Sequence, residues 1–398
     1  MDWPNVIGTA GGLAAAACLG ATGYLGWREF RRRGFDNWLL PYLMSAGKRK
    51  GPKPGEPVDL ILAICDHYEP KRGGASAEKA RSRVQQWVDE YPKLFDRFRD
   101  ANGRPPQHSF FYPEDEYEPE LVDMLAGLCR RGYGEVEVHL HHGLNAPDTS
   151  DNLRETLLRY KTTLRERHGL LGTDTATGEV VYGFAHGNWT LANCRRDGKY
   201  CGVNDELRVL RETGCYADFT LPSSPSETQT RKINSIYWAV NDPTKRKPHD
   251  SGVDVGVAAR PADSLLLIQG PLLLDWKQRK SGIFPTVENS CLQRTQPPDI
   301  TRLEAWLKAR INVPAHPSWY FVKLHTHGVW EPNQDVLLGE PMVRFHEELA
   351  RRTLGDPNFR VHYVSCREMA NLALAGAEVT RPTMEAMQTP YAAPAGRC

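Results

Sequence analysis

A chain of 398 residues, 40% hydrophobic and 25% charged, has the make-up of an ordinary globular protein and the length for a large core. That excludes a disordered chain, a collagen-like repeat and a small disulfide-stapled scaffold. Fifty Lys plus Arg against 49 Asp plus Glu leave a net charge of +1, so no overall field draws the chain to nucleic acid, and no nucleic-acid partner is expected. The nine cysteines contain no C-x-x-C pair and read as free thiols in a reducing compartment.

The first element differs in composition from everything after it. Trp3 to Trp27 carries no charge, and its length meets the roughly 20 residues that a helix needs to cross hydrocarbon. Asp2 is the one charge before this run, whereas Arg28, Arg31, Arg32 and Arg33 follow it. This predicts an uncleaved anchor over 1–33, single-pass in the inner or cytoplasmic membrane, with the body on the cytoplasmic side by the positive-inside rule. Gly8 and Gly12 have the spacing that lets two such helices self-associate. Residues 34–57, rich in Gly, Pro and charge toward their end, read as a linker.

From residue 58 onward, short apolar runs alternate with helical periodicity. Val58–Cys65 is a strand that ends in Asp66-His67-Tyr68-Glu69-Pro70. A helical pattern over Ala77–Arg99 precedes a strand at Ser109–Tyr112, and a helix at Glu118–Arg131 precedes the strand Gly134–His139, which continues into Leu140-His141-His142. Helices at Asp151–His168 and Asn204–Thr213 flank a strand at Val180–Ala185; a strand at Ala217–Leu221 and an apolar run at Ser264–Gln269 follow. A helix at Asp299–Ala309, a strand at Trp319–Leu324, a helix at Pro341–Leu354 and a strand at Phe359–Val364 complete the series. Such alternation predicts an α/β fold with a mostly parallel sheet and helices outside it. The body spans 58–375, with an insertion at about 222–300 and a loose tail over 376–398.

Chemistry collects where these strands end. Asp66, His67 and Glu69 follow the first strand, His139, His141 and His142 the third, His186, Asn188 and Trp189 the next, and His325 and His327 a late one. In parallel α/β folds the C-terminal strand ends converge on one mouth, where ligands and catalytic groups gather. Imidazoles together with carboxylates are the ligand chemistry of zinc and similar divalent ions. Residues 139 and 141 share a strand face, whereas His142 points away or begins the loop. Tyr68, Trp189, Trp276 and Trp330 are candidates for stacking on sugar rings, although plain core or rim packing is the stronger reading of each.

The order Cys65-Asp66-His67, Phe110-Phe111, Pro119 to Gly132, Glu135 to His142, Gly183 to Trp189 and Lys323-Leu324-His325 resembles the polysaccharide deacetylase superfamily (NodB homology, carbohydrate esterase family 4) over roughly 58–375. The resemblance implies a distorted (β/α) barrel of the glycoside hydrolase/deacetylase type and a divalent metal, zinc in the first place with cobalt or nickel as alternatives. It further implies Asp66 as general base, His325 as general acid, and metal ligands drawn from His67, His139, His141 and His142. The chain departs from the family where His67 replaces a ligand aspartate, where Gly143 stands at the second ligand histidine, and where His186-Gly-Asn-Trp189 replaces an Arg-Pro-Pro motif. Glu69, His186, Asn188, Trp189 and His327 are then expected to line a carbohydrate substrate.

The resulting expectation is a membrane-anchored, metal-dependent hydrolase that removes N- or O-acetyl groups from a sugar or polysaccharide. Two other readings compete with it. One is a glycoside hydrolase on the same barrel, with Asp66 and Glu69 or Glu114 and Asp115 as paired carboxylates; the other is a non-catalytic polysaccharide-binding or assembly protein.

Overall fold

The run Val58–His67 forms β1 because its alternate side chains can be buried on two sides. Leu60, Leu62 and Ile64 pack under a layer of helices, and Ile61, Ala63 and Cys65 pack into the interior of a curled sheet. The computed structural model describes residues 24–45, 51–53, 55–280 and 284–394. After β1 the strands are β2 (His108–Pro113), β3 (Gly134–Leu140), β4 (Gly172–Asp174), β5 (Val180–His186), β6 (Cys215–Asp218), β7 (Ile236–Val240), β8 (Val253–Asp254), β9 (Ser264–Ile268), β10 (Leu273–Lys280), β11 (Phe284–Glu288), β12 (Trp319–Thr326), β13 (Phe359–Tyr363) and β14 (Tyr391–Ala392).

Neighbouring strands in the order β12, β1, β2, β3, β5, β6 and β9 run parallel, so their C-terminal ends share one edge. β7 and β8 extend the far side antiparallel, and β13 lies beside the first half of β1. The sheet is strongly curled. Lys323 Nζ in β12 donates to Phe219 O at 2.5 Å and Leu221 O at 2.7 Å, which lie just beyond β6, and the rings of Phe111 and Phe219 come within 5.8 Å. No ladder joins β12 to β8 among the described residues, so the fold is mixed α/β with a mostly parallel central sheet, and the closure of a barrel is not seen.

The helices follow from local sequence and then from burial. Ser76 caps the helix Ala77–Phe95 by accepting from Lys79 N, and Ala80, Val84, Trp87, Tyr91 and Phe95 form its buried stripe at helical spacing. Each large apolar side chain on that stripe contributes roughly 1.5–3 kcal/mol by leaving water. Thr149 caps Ser150–His168, which ends at Gly169 in the left-handed conformation. Ser365 and Glu368 form a capping box on Cys366–Leu374.

Several expectations are corrected at the periphery. The segment 34–57 is not simply a linker: Phe35–Ser45 is a helix whose Trp38 is fully buried against Ile233 and Leu272. Part of 222–300 belongs to the sheet itself as β7, β8 and β9, and β10 and β11 form a separate antiparallel pair. The tail is anchored rather than loose through residue 394. Asn371 Nδ2 donates to Met387 O and Tyr391 O, Met387 is buried, and β14 pairs with β4. Residues 1–23 of the expected anchor lie outside the described residues, and among those described no helix is long and apolar enough to cross a membrane.

Candidate metal centre

Three strand ends deliver imidazoles to one point. His67 is the last residue of β1, His139 lies on the interior face of β3 with His141 two residues on, and His327 follows β12 on the face of Lys323 and His325. Glu69 turns back over them after Tyr68 N has bonded Phe111 O at 2.9 Å. Its Oε1 stands 3.5 Å from His139 Nε2, 3.6 Å from His141 Nε2 and 3.5 Å from His327 Nε2. The His67 ring lies 4.7 Å from that of His139 and 5.1 Å from that of His327.

These separations suit a shared cation better than direct hydrogen bonds. Donor atoms about 2.0–2.1 Å from a tetrahedral zinc ion stand roughly 3.3–3.4 Å apart, close to the distances around Glu69. His139 Nδ1 bonds Ala185 O at 2.6 Å, which places its proton there and leaves Nε2 with a bare lone pair. That Nε2 and His67 Nε2 are buried without a hydrogen-bond partner. Two buried, unsatisfied imidazole nitrogens beside a carboxylate are costly unless something occupies the space between them. His67, Glu69 and His139 therefore fit a divalent metal, and all three are buried.

Electrostatics follow the same geometry. Burial would raise the Glu69 carboxyl, but His139, His141 and His327 outweigh it and hold the group far below the ordinary carboxylate range. Burial also depresses His67, reinforced by His139 and His327, so that it stays neutral and available as a ligand. Arg72 Nη1 fixes the other carboxylate oxygen, Glu69 Oε2, at 2.5 Å.

The rim carries different groups. His141 and His327 keep 14% and 13% side-chain exposure, against 0% for His139, so these two face the mouth. His141 Nδ1 pairs with Asp115 Oδ1 at 3.0 Å. A shallow polar cleft of about 340 Å³ borders His141, and Glu114, Asn145, Asp148, Asn152 and Thr156 help to line it. Trp189 walls the other side, its ring 6.0 Å from His67 and 5.8 Å from His327. The turn that brings it there needs Gly187, because a Cβ at that position would lie 2.1 Å from the His141 ring. Asn188 is exposed beside it, with φ of 55°.

Three of the residues expected in this mouth are elsewhere. Asp66 occupies the opposite face of β1 from His67: its Oδ2 bonds His108 Nε2 at 2.9 Å, and its Oδ1 accepts from Gly328 N at 2.7 Å. Strand alternation makes that separation unavoidable, and the Asp66 carboxylate is already spoken for. His142 and His186 likewise face the helical side, 2.9 Å apart and next to Glu206. His325 does share the interior face; it is fully buried, and burial reinforced by Lys323 depresses it. Tyr68 is core, packed on Trp87 and Phe110, while Trp276 and Trp330 are exposed, the Trp330 ring lying 5.9 Å from the Arg72 guanidinium. Neither pair of carboxylates for glycosidic cleavage is free, since Asp66 is committed as above and Glu114 pairs with Arg159 at 3.1 Å. Sequence reading missed Asp115 as a partner of His141, and missed Cys201 and Glu206 altogether.

No family model matches this chain, and no curated protein matches it. Among solved structures it is similar to one described as a "putative polysaccharide deacetylase from Mycobacterium smegmatis", with 13% identity over 84% of this chain and 98% of that one, at a TM-score of 0.40.

Proposed function

We propose that the chain is a metal-dependent hydrolase that removes acetyl groups from a sugar or polysaccharide. The observation that carries this reading is the gathering of the buried donors of His67, Glu69 and His139 within 4.8 Å of one another, with His141 and His327 at 3.6 and 3.5 Å from Glu69 Oε1 and a polar cleft beside His141. His67, Glu69 and His139 hold the ion, zinc in the first place, from the buried side. When bound, such an ion lowers the pKa of water toward about 7 and polarises a carbonyl oxygen. The protein's own groups do the rest. His141, paired with Asp115, is stabilised as an imidazolium and donates a proton to the leaving group, a role first expected of His325. His327, on the opposite rim, accepts the proton from water in place of Asp66. Trp189 offers an apolar wall for a sugar ring, and the Asn145, Asn152 and Thr156 side chains suit a substrate rich in hydroxyls.

This body is proposed to be tethered through residues 1–33 at the cytoplasmic face of the membrane. A phosphatase reporter fused after Cys398 tests that placement, since activity in the periplasm would reverse it. The catalytic reading is tested by acetate release from N-acetylglucosamine oligomers and O-acetylated xylan, before and after chelation. Release that chelator abolishes and zinc restores is expected; a protein that binds no metal through His67 and His139 overturns the reading.

A further inference from the structure

A second set of donors lies on the helix-facing side of β3 and β5, behind His139 and His141 of the first. His142 follows β3, His186 ends β5, Cys201 sits in the loop beyond, and Glu206 begins the helix Glu206–Glu212. All four are buried, and one donor atom from each lies within 4.8 Å of the others. His142 Nε2 is 2.9 Å from His186 Nε2 and 3.1 Å from Glu206 Oε1; His186 Nε2 is 3.3 Å from that same oxygen, and Cys201 Sγ is 3.4 Å from Glu206 Oε2.

The outward atoms of these side chains are already fixed. His142 Nδ1 pairs with Asp148 Oδ2 at 2.8 Å, and His186 Nδ1 pairs with Gly187 O at 2.5 Å. Both partners accept, so each imidazole carries a proton on Nδ1 and turns its Nε2 inward toward the other donors. Glu206 Oε2 accepts from Ala192 N at 2.5 Å, and Cys201 Sγ accepts from Asn193 N at 3.3 Å and Val203 N at 3.4 Å. Two imidazole nitrogens, a carboxylate and a sulfur thus face one another without solvent, a grouping that a metal cation or shared protons must satisfy. The carboxylate–imidazole pairing of Asp148 with His142 is the outer support that orients histidine ligands in metal sites.

We propose that His142, His186, Cys201 and Glu206 bind one divalent ion of the zinc class as a closed structural centre, separate from the candidate catalytic one. Thiolate and imidazole donors select zinc or cobalt over magnesium or calcium. A thiolate and a carboxylate also neutralise a dication, so the buried unit carries no net charge once the Cys201 proton has left to solvent. Four protein donors leave no place for substrate, which is the mark of a structural site. The ion would tie the loop 187–205, which carries Trp189, to β3 and β5.

The test uses the full chain, with cobalt as the probe. The candidate catalytic centre contains no sulfur, so a thiolate-to-cobalt charge-transfer band reports the second centre alone. The band is expected in the wild type, to persist in His139→Ala, and to vanish in Cys201→Ser with the loss of one metal equivalent per chain. X-ray absorption of zinc-loaded His139→Ala gives an independent reading, with one sulfur expected at about 2.3 Å. No band in the wild type and no sulfur neighbour would mean that protons alone bridge these groups, as with an imidazolium held between Asp148 and Glu206, and would overturn the proposal. A band surviving in Cys201→Ser overturns it equally, and should that variant fail to fold, the wild-type and His139→Ala measurements decide.

Discussion

Replacing His139 by alanine removes one donor from the candidate catalytic centre while leaving its neighbours in place. The side chain is fully buried, its Nδ1 proton is committed to Ala185 O, and Nε2 has no protein hydrogen bond to lose. The metal term therefore dominates the expected effect. Zinc sites bind with roughly 10–16 kcal/mol through four ligands. One ligand's share is then roughly 2.5–4 kcal/mol, or two to three powers of ten in Kd at about 1.4 kcal/mol per decade. Competition against a chromophoric chelator, with elemental analysis of the dialysed protein, measures the change directly. An unaltered affinity in a folded His139→Ala protein would refute the assignment of His67, Glu69 and His139 as ligands.

Four further outcomes follow from the same structure. Asp115→Asn keeps the shape but weakens the support of His141; acetate release is expected to fall about 10–100-fold with the fold intact, as when outer partners of site histidines are removed. Asp66→Asn is expected to lower thermal stability without changing metal affinity; loss of turnover in a stable, metal-loaded Asp66→Asn protein would restore Asp66 as the base. Glu288 is buried with Arg302 and held below its ordinary carboxyl value, burial being outweighed by the guanidinium, so its stabilisation is present above about pH 4.3 and lost as pH falls further. Glu288→Gln should accordingly cost about 3–5 kcal/mol at pH 7 and less near pH 3, read from urea unfolding at the two pH values. Trp87→Ala empties the centre of the Ala77–Phe95 stripe and should cost about 3–5 kcal/mol in the same assay.

Much of this arrangement is written in local patterns. β1, β3, β5 and β12 fall where apolar runs precede histidines, and parallel pairing brings those histidines to one edge whatever the loops do. Period-two alternation also separates His139 and His141 from His142. The same rule applied to Cys65-Asp66-His67 puts Asp66 on the helical side, against the role that resemblance assigns it. Cys201 and Glu206 carried no readable signal, because their meeting with His142 and His186 depends on a long loop with Asn188, Trp189, Ala192, Asn193 and Tyr200 all at positive φ. Phe35–Ser45 reads as linker because Trp38 finds its partners near residues 233 and 272, contacts that no local period announces. The tail appears loose for a similar reason: Asn371 ties down residues 387 and 391 through backbone atoms, which any sequence would offer.

β3 bears on how the centre comes into being. Glu135, Glu137 and His139 face the interior, where Glu135 meets Arg367 and Glu137 meets Tyr216 and Gly183 N, while Val136, Val138 and Leu140 lie under the helices. A slip of one residue against β2 or β5 would drive two carboxylates and an imidazole into the apolar layer and strand Arg367 without its partner. The strand consequently tolerates a single alignment, enforced by groups that never touch an ion. The imidazoles on it are thus set in place by the fold itself, and the proposed ion would meet a site already built.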